Sequence, residues 1–266
     1  MPAYSIGDVT LNAETSGDGF PLLLISGTGL PAVIWGFHIG WMSEIRRVVA
    51  FDNRDTGASS SVETDYTPAD MAVDALGLMD ELGLEQADVI GFSLGGAIAQ
   101  ELVLAKPDRV RGLVLYATWA STDGWLALRF SLWEQLSALA TPELMTDMGA
   151  MDLYTHRFFA DPAPLEMLRA ASRAAPTERG PAGIIRQWRA DQAHDARDRL
   201  AQIAAPTLVV VGDEDGLVPV RYSRELAELI PGSRLEVIPE AGHGALIERP
   251  DAFRTAVEPF LHDLGG

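Results

Sequence analysis

One serine in this chain is framed for nucleophilic chemistry. Gly91-Phe92-Ser93-Leu94-Gly95 closes the apolar run Val89–Phe92 and opens the helical pattern Leu94–Ala105. A strand that turns sharply into a helix lifts a serine oxygen clear of the backbone, and small residues at 91 and 95 leave room for that turn. The helix behind it aims its first N–H groups at the same point. A serine hydroxyl is a poor nucleophile until a base takes its proton. Five histidines compete for that task. His243, in Glu240-Ala241-Gly242-His243-Gly244, comes directly after the run Leu235–Ile238, between two glycines that suit close backbone approach. His156 and His194 lie in a stretch without strands, and His262 sits in the last helical pattern. His38 follows the first glycine loop, where it is expected to line a pocket.

An imidazole base needs an acceptor that fixes its tautomer and stabilises its cation. The run Leu208–Val211 ends in Gly212-Asp213-Glu214-Asp215-Gly216-Leu217-Val218-Pro219, so three acids are available there. Asp123, beyond Leu113–Tyr116, is a fourth. Acyl transfer also needs N–H donors for its oxyanion. The backbone N–H of Leu94 is one. The loop Ser26-Gly27-Thr28-Gly29, after Leu22–Ile25, supplies the expected second through the N–H of Thr28, with Gly27 beside the substrate.

These groups are far apart in the chain, so a scaffold must gather them. Continuous Val/Ile/Leu runs alternate with helix-length patterns: Leu22–Ile25, Val48–Phe51, Val89–Phe92, Leu113–Tyr116, Leu208–Val211 and Leu235–Ile238. Between them, Thr67–Leu82, Leu94–Ala105, 222–230 and 251–264 read as helices. Such runs are the mark of buried parallel strands with crossover helices. The expectation is an α/β fold, a mostly parallel central sheet with helices on both faces, preceded by a pair of strands near Tyr4–Ile6 and Val9–Glu14. Ligands bind such sheets at the carboxyl ends of the strands, and each candidate above sits just after a strand.

One stretch breaks the rhythm. Residues 121–199 contain no convincing β run, and their helical patterns are interrupted by Pro142, Pro162, Pro164, Pro176 and Pro181. This reads as a helical cap inserted between two parts of the core, 1–120 and 200–266. Its aromatic and Met content predicts an apolar cavity for a medium-sized molecule. Trp125, Phe130, Trp133 and Met151 are the expected lining; Arg129, Arg157 and Arg189 are cations that could meet a substrate carboxylate.

Composition narrows the field. The 266 residues include no cysteine, which excludes disulfides, thiolate metal sites and a cysteine nucleophile. The formal charge of −18 repels phosphate backbones and anionic lipid, so neither nucleic acid nor a membrane is an expected partner. No run approaches the roughly 20 apolar residues of a membrane span, and Met1–Ala13 carries no signal-peptide pattern, so a cytoplasmic location is expected. No dinucleotide fingerprint, phosphate loop or His-Glu-x-x-His helix appears, and no cofactor or metal is expected. Nothing in the sequence sets an oligomeric state.

The order Ser93…Asp215…His243, with the elbow Gly-Phe-Ser-Leu-Gly-Gly, resembles the α/β-hydrolase superfamily over nearly the whole chain. Within it the acid commonly lies in Gly-x-x-Asp-x-x-x-Pro, here Gly212 to Pro219, and the resemblance singles out Asp215. The chain is most similar to capped enol-lactonases, C–C hydrolases and haloperoxidase-like enzymes, and Asp52-Asn53-Arg54-Asp55-Thr56-Gly57 is similar to a segment of polyketide methyl esterases. Two positions depart from the pattern: Ser26-Gly27 replaces the usual His-Gly, and Asp55 replaces a usual glycine. Ser93 argues against the relatives with an aspartate nucleophile, the haloalkane dehalogenases and epoxide hydrolases. The resemblance implies a cofactor-independent hydrolase of a small-molecule ester or lactone. Its alternatives are a C–C bond hydrolase on the same triad, or a non-hydrolytic small-molecule binder or biosynthetic catalyst.

Overall fold

A computed structural model describes residues 1–174 and 180–265; Pro176 lies outside them. Eight strands form one sheet in the order β1-β2-β4-β3-β5-β6-β7-β8. They are β1 (Ala3–Ile6), β2 (Val9–Ser16), β3 (Pro21–Ile25), β4 (Arg47–Phe51), β5 (Ala87–Phe92), β6 (Val110–Tyr116), β7 (Thr207–Gly212) and β8 (Arg234–Ile238). β1 and β2 pair antiparallel and β2 meets β4 antiparallel, while every pair from β4 to β8 is parallel.

The period-two geometry of a strand divides its apolar run between two cores. Leu23, Ile25, Val89 and Val209 face one core, covered by α2 (Pro68–Glu81), α3 (Leu94–Ala105) and α8 (Val220–Leu229). Leu22, Leu24, Ile90 and Val210 face the other, covered by α1 (Gly36–Ser43) and α10 (Pro250–Asp263). α2 begins where its sequence says it should. Thr67 and Asp70 form a reciprocal capping box, and Pro68 occupies the first helical position. α1 had no expectation, because Gly36-Phe37-His38-Ile39-Gly40-Trp41 has no clean polar face. A short helix, α9 (Ala245–Glu248), precedes α10.

Among the described residues between β6 and β7 stand four α-helices: α4 (Gly124–Leu139), α5 (Pro142–Leu153), α6 (Pro162–Ala174) and α7 (Ala182–Ala193). The chain enters and leaves this insertion side by side. Ser121 and Asp195 form an isolated antiparallel bridge, with Thr122 N donating to His194 O (2.9 Å) and Ala196 N donating to Ala120 O (2.9 Å). Phe130, Trp133 and Trp188 pack with Trp119, Leu217 and Val218, which follow β6 and β7, so the insertion roofs the carboxyl edge of the sheet. Among the described residues no helix is long and apolar enough to cross a membrane.

Candidate active site

Ser93 sits at the turn from β5 into α3 with φ 55° and ψ −118°. A non-glycine residue at positive φ costs about 1–3 kcal/mol and persists only where its surroundings impose it. Here they do. Ser93 N donates to Tyr116 O on β6 (2.9 Å), and the flanking glycines leave no room to relax. A Cβ on Gly91 would come within 2.3 Å of Gly95 O, and one on Gly95 within 2.1 Å of Ile25 O. Gly-x-Ser-x-Gly is therefore a packing requirement of this turn. Ser93 makes no side-chain capping bond to α3, and among the described residues no hydrogen bond joins its Oγ to His243, whose ring bonds Asp215.

His243 Nδ1 donates to Asp215 Oδ2 at 2.8 Å, and both side chains are buried. The other Asp215 oxygen, Oδ1, accepts from Leu217 N (2.9 Å) and Val218 N (2.8 Å). Three donors thus fix the carboxylate, and its acceptance of the Nδ1 proton leaves Nε2 of a neutral imidazole free to take another. Tyr116 Oη donates to His243 O (2.5 Å), and burial pushes its phenol well above the usual range, so it stays a donor. Phe92, the neighbour of Ser93, brings its ring centroid to 5.1 Å from that of the imidazole.

The competing acids have other work. Asp213 Oδ1 accepts from Ala241 N, and Glu214 pairs with Arg157. Asp123 caps α4 through Trp125 N and Leu126 N and accepts from Tyr222 Oη.

The loop after β3 lies against the elbow. A Cβ on Gly27 would sit 3.1 Å from Ser93 Cβ and 3.2 Å from Phe92 O, so only glycine fits there without displacement. Ser26, in place of the usual histidine, is buried; its Oγ accepts from Trp35 Nε1 (3.1 Å) and its carbonyl from Asn53 Nδ2 (3.0 Å). Thr28 Oγ1 donates to Asp191 Oδ2 (2.6 Å), and Gly29 N donates to Gln187 Oε1 (2.6 Å). Leu94 is the first residue of α3, so its N–H belongs to the free end of that helix.

Sequence reasoning missed the role of α7. Gln187, Asp191 and His194 are buried at helical spacing, so one polar face of this helix points inward. Within the same helix, Arg186 makes a bidentate pair with Asp55 (2.9 and 2.7 Å), which also accepts from Tyr66 Oη. The departure at residue 55 thus anchors α7. A second missed residue is Glu248. Its Oε2 accepts from Gly242 N (3.0 Å), and its Oε1 accepts from Thr155 N (3.0 Å) and Thr155 Oγ1, tying the histidine loop to the end of α5. The signal for both lay in tertiary contact, since Asp and Glu read as solvated when taken singly.

Three lining expectations need correction. His38 is not in a pocket. It is buried between α1 and α10, its Nε2 donating to Leu246 O (2.7 Å), its Nδ1 accepting from Trp41 Nε1 (3.1 Å), its ring 4.7 Å from Phe253. Burial lowers its pKa, and both nitrogens are used in the neutral form. Met151 is 76% exposed on the outer side of α5, and Trp125 is 42% exposed with the guanidiniums of Arg129 and Arg221 each 5.3 Å from its ring. Both are apolar residues on the wrong face. Phe130 and Trp133 are buried in the insertion's own core. The three arginines are paired: Arg129 with Asp152, Arg157 with Glu214 and Glu240, Arg189 with Asp65 and Glu134.

The family profile of the alpha/beta hydrolase fold matches residues 21–250. A protein of Azorhizobium caulinodans named "Putative carbamate hydrolase RutD" is 31% identical over 264 residues, covering 99% of each chain. A 2-hydroxymuconate semialdehyde hydrolase of Pseudomonas putida is 32% identical, covering 94% of this chain and 90% of the relative. Among solved structures, the enol-lactonase of Burkholderia xenovorans LB400 superposes with a TM-score of 0.89 at 26% identity, over 98% of this chain and 100% of the other.

Proposed function

The chain belongs to the alpha/beta hydrolase fold family, and on that premise we propose that it hydrolyses a small-molecule ester or lactone through a Ser93-His243-Asp215 triad and an acyl-enzyme. Ser93 Oγ attacks the carbonyl carbon while His243 Nε2 takes its proton. Asp215 holds the imidazole and stabilises the cation that forms. The N–H groups of Leu94 and Thr28 receive the negative oxygen, each such donor being worth about 3–4 kcal/mol of barrier. His243 then returns the proton to the leaving oxygen and next activates water to release the acid. Residues of this chain perform every step, with no cofactor or metal.

The observation that carries this reading is the 2.8 Å contact between His243 and Asp215, beside a serine held at φ 55°. The insertion acts as a cap. Trp119, Phe130, Leu217 and Val218 form a buried apolar cluster over the strand ends, which supports apolar surroundings for a substrate bound below it. The full-length likeness to the RutD protein favours a second substrate class, the carbamates. Likeness to the semialdehyde hydrolase favours a third reading, C–C cleavage on the same triad.

Ser93→Ala tests the assignment. Turnover of p-nitrophenyl acetate should fall by at least about 10³-fold in folded protein, and a fluorophosphonate should label the wild type only at Ser93. Wild-type turnover by the variant rejects the triad. An ester, a lactone, a carbamate and a dienoic diketo acid assayed side by side separate the substrate classes.

A further inference from the structure

A helix packed against a sheet edge normally turns apolar residues inward. α7 buries Trp188 and Ala190 in that way, but it turns polar residues inward beside them. Gln187, Asp191 and His194 face the core, and none is exposed. Burying an amide, a carboxyl and an imidazole costs free energy unless each finds partners, so what they hold is informative. Gln187 is fully committed: its Oε1 accepts from Gly29 N, and its Nε2 donates to Arg54 O (2.8 Å) and Thr56 Oγ1 (2.7 Å). Asp191 makes one side-chain hydrogen bond, from Thr28 Oγ1 at 2.6 Å, and its Oδ1 is buried without a partner. Among the described residues no cation pairs with it, and burial pushes its carboxyl well above the usual range. Ion pairing therefore does not explain the residue.

Thr28 and Gly29 adjoin Gly27, which touches the elbow of Ser93. Two successive residues of the loop, Thr28 and Gly29, are therefore gripped by two successive inward positions of one helix. We propose that Asp191, through the Thr28 hydroxyl, is a positioning residue that fixes the Thr28 N–H for the developing oxyanion. The proposal rests on the serine-hydrolase reading. A hydrogen bond at Oγ1 sets the rotamer of Thr28, and the Gln187 grip on the next N–H sets the peptide plane that follows. Together they hold the donor before substrate arrives, which is where oxyanion stabilisation derives its value.

Fluorophosphonate labelling of Ser93 reads this directly, because the phosphoryl oxygen occupies the oxyanion position whatever the natural substrate. Asp191→Ala should slow labelling and lower kcat on p-nitrophenyl acetate by about tenfold, with KM changed by less than a factor of about two. Thr28→Val should match it, and the double variant should lose no more than either single one. Asp191→Asn, which keeps an acceptor and no charge, should stay within a factor of about three of the wild type. Should Asp191→Ala not fold, Thr28→Val against Thr28→Ser carries the same test. A folded Asp191→Ala labelled at the wild-type rate overturns the proposal, as does an Asp191→Asn as slow as the alanine variant, or fully additive losses. A wild type that resists labelling overturns the serine-hydrolase reading itself, and this inference falls with it.

Discussion

The two halves of the helical insertion reach the site by different means. α4 and α7 join through stacked aromatic rings, Trp133 on Trp188 (centroids 5.7 Å apart) and Phe130 on Trp188 (5.9 Å), and α7 sends polar side chains inward to the loop after β3. α5 and α6 carry their apolar Leu144, Met151 and Met167 into solvent and pair through Arg169 with Asp147 and Glu166 at the surface. Their grip on the histidine loop is mostly backbone. Gly244 N donates to Leu153 O (2.7 Å), and a Cβ on Gly242 would come within 2.6 Å of that same carbonyl. Glu248 closes the junction. One half is a second core whose helix α7 grips the loop that carries Thr28 and Gly29. The other is a flap with a smaller apolar cluster, Ala150, Tyr154 and Phe158 beside Leu165, Leu168 and Ile247, edged by exposed ion pairs and joined to the loop that carries His243. Burial of aromatic area stabilises strongly, whereas exposed ion pairs contribute about 0–1 kcal/mol, so the halves should differ in what mutation does to them.

Trp188→Ala should be the most damaging change, costing about 3–5 kcal/mol in denaturant unfolding through the cavity left between Phe130 and Trp133. A loss below about 1 kcal/mol would erase the distinction between the halves.

Acid should also strike the α7 side first. Burial lowers the pKa of His194 from 6.5 to about 4, against a raising effect of Glu101, with Arg199 and Asp195 nearby. The neutral imidazole is favoured in the fold, so its contribution is complete above pH 6.5 and is lost as pH falls toward about 4. That amounts to roughly 3 kcal/mol at most. His194→Gln should flatten this part of the stability profile, which urea melts at successive pH values would reveal.

On the other side, Glu248→Gln replaces an acceptor facing Gly242 N with a donor. It should cost about 2 kcal/mol and lower kcat by loosening the histidine loop, while the fluorophosphonate-labelled serine remains Ser93. Unchanged kcat in this variant would mean that the flap does not brace the base. Smallest of all, Met151→Ala should shift stability by no more than about 0.5 kcal/mol, measured by the same melts.

The sequence made the scaffold legible because buried parallel strands are continuous apolar runs, and the elbow legible because glycine is the only residue whose atoms fit at 91 and 95. The acid needed help from family resemblance, since Asp213, Glu214 and Asp215 differ in sequence only by position; what separates them is that Leu217 N and Val218 N converge on Asp215 alone. Pocket residues are the least legible part, because side-chain direction depends on tertiary contact. Counting aromatics placed Trp125 with Phe130, though the two lie on opposite faces of one helix. His38 reads as a pocket residue in sequence because its partner Leu246 lies 208 positions away in the chain. The inward face of α7 was invisible for the same reason: Gln187 and Asp191 have meaning only beside Thr28 and Gly29.

The paired entry and exit of the insertion at Ser121 and Asp195 make it a natural unit for exchange. A recombinant splice at that bridge would keep every strand in register. It would nonetheless take away the neighbours of Thr28 and of Gly244 together, so a transplanted lid from a relative must bring an acceptor for the first and a flat carbonyl edge for the second. Compatibility at those two seams, more than the fit of the lid's aromatic interior, should decide which chimeras turn over substrate.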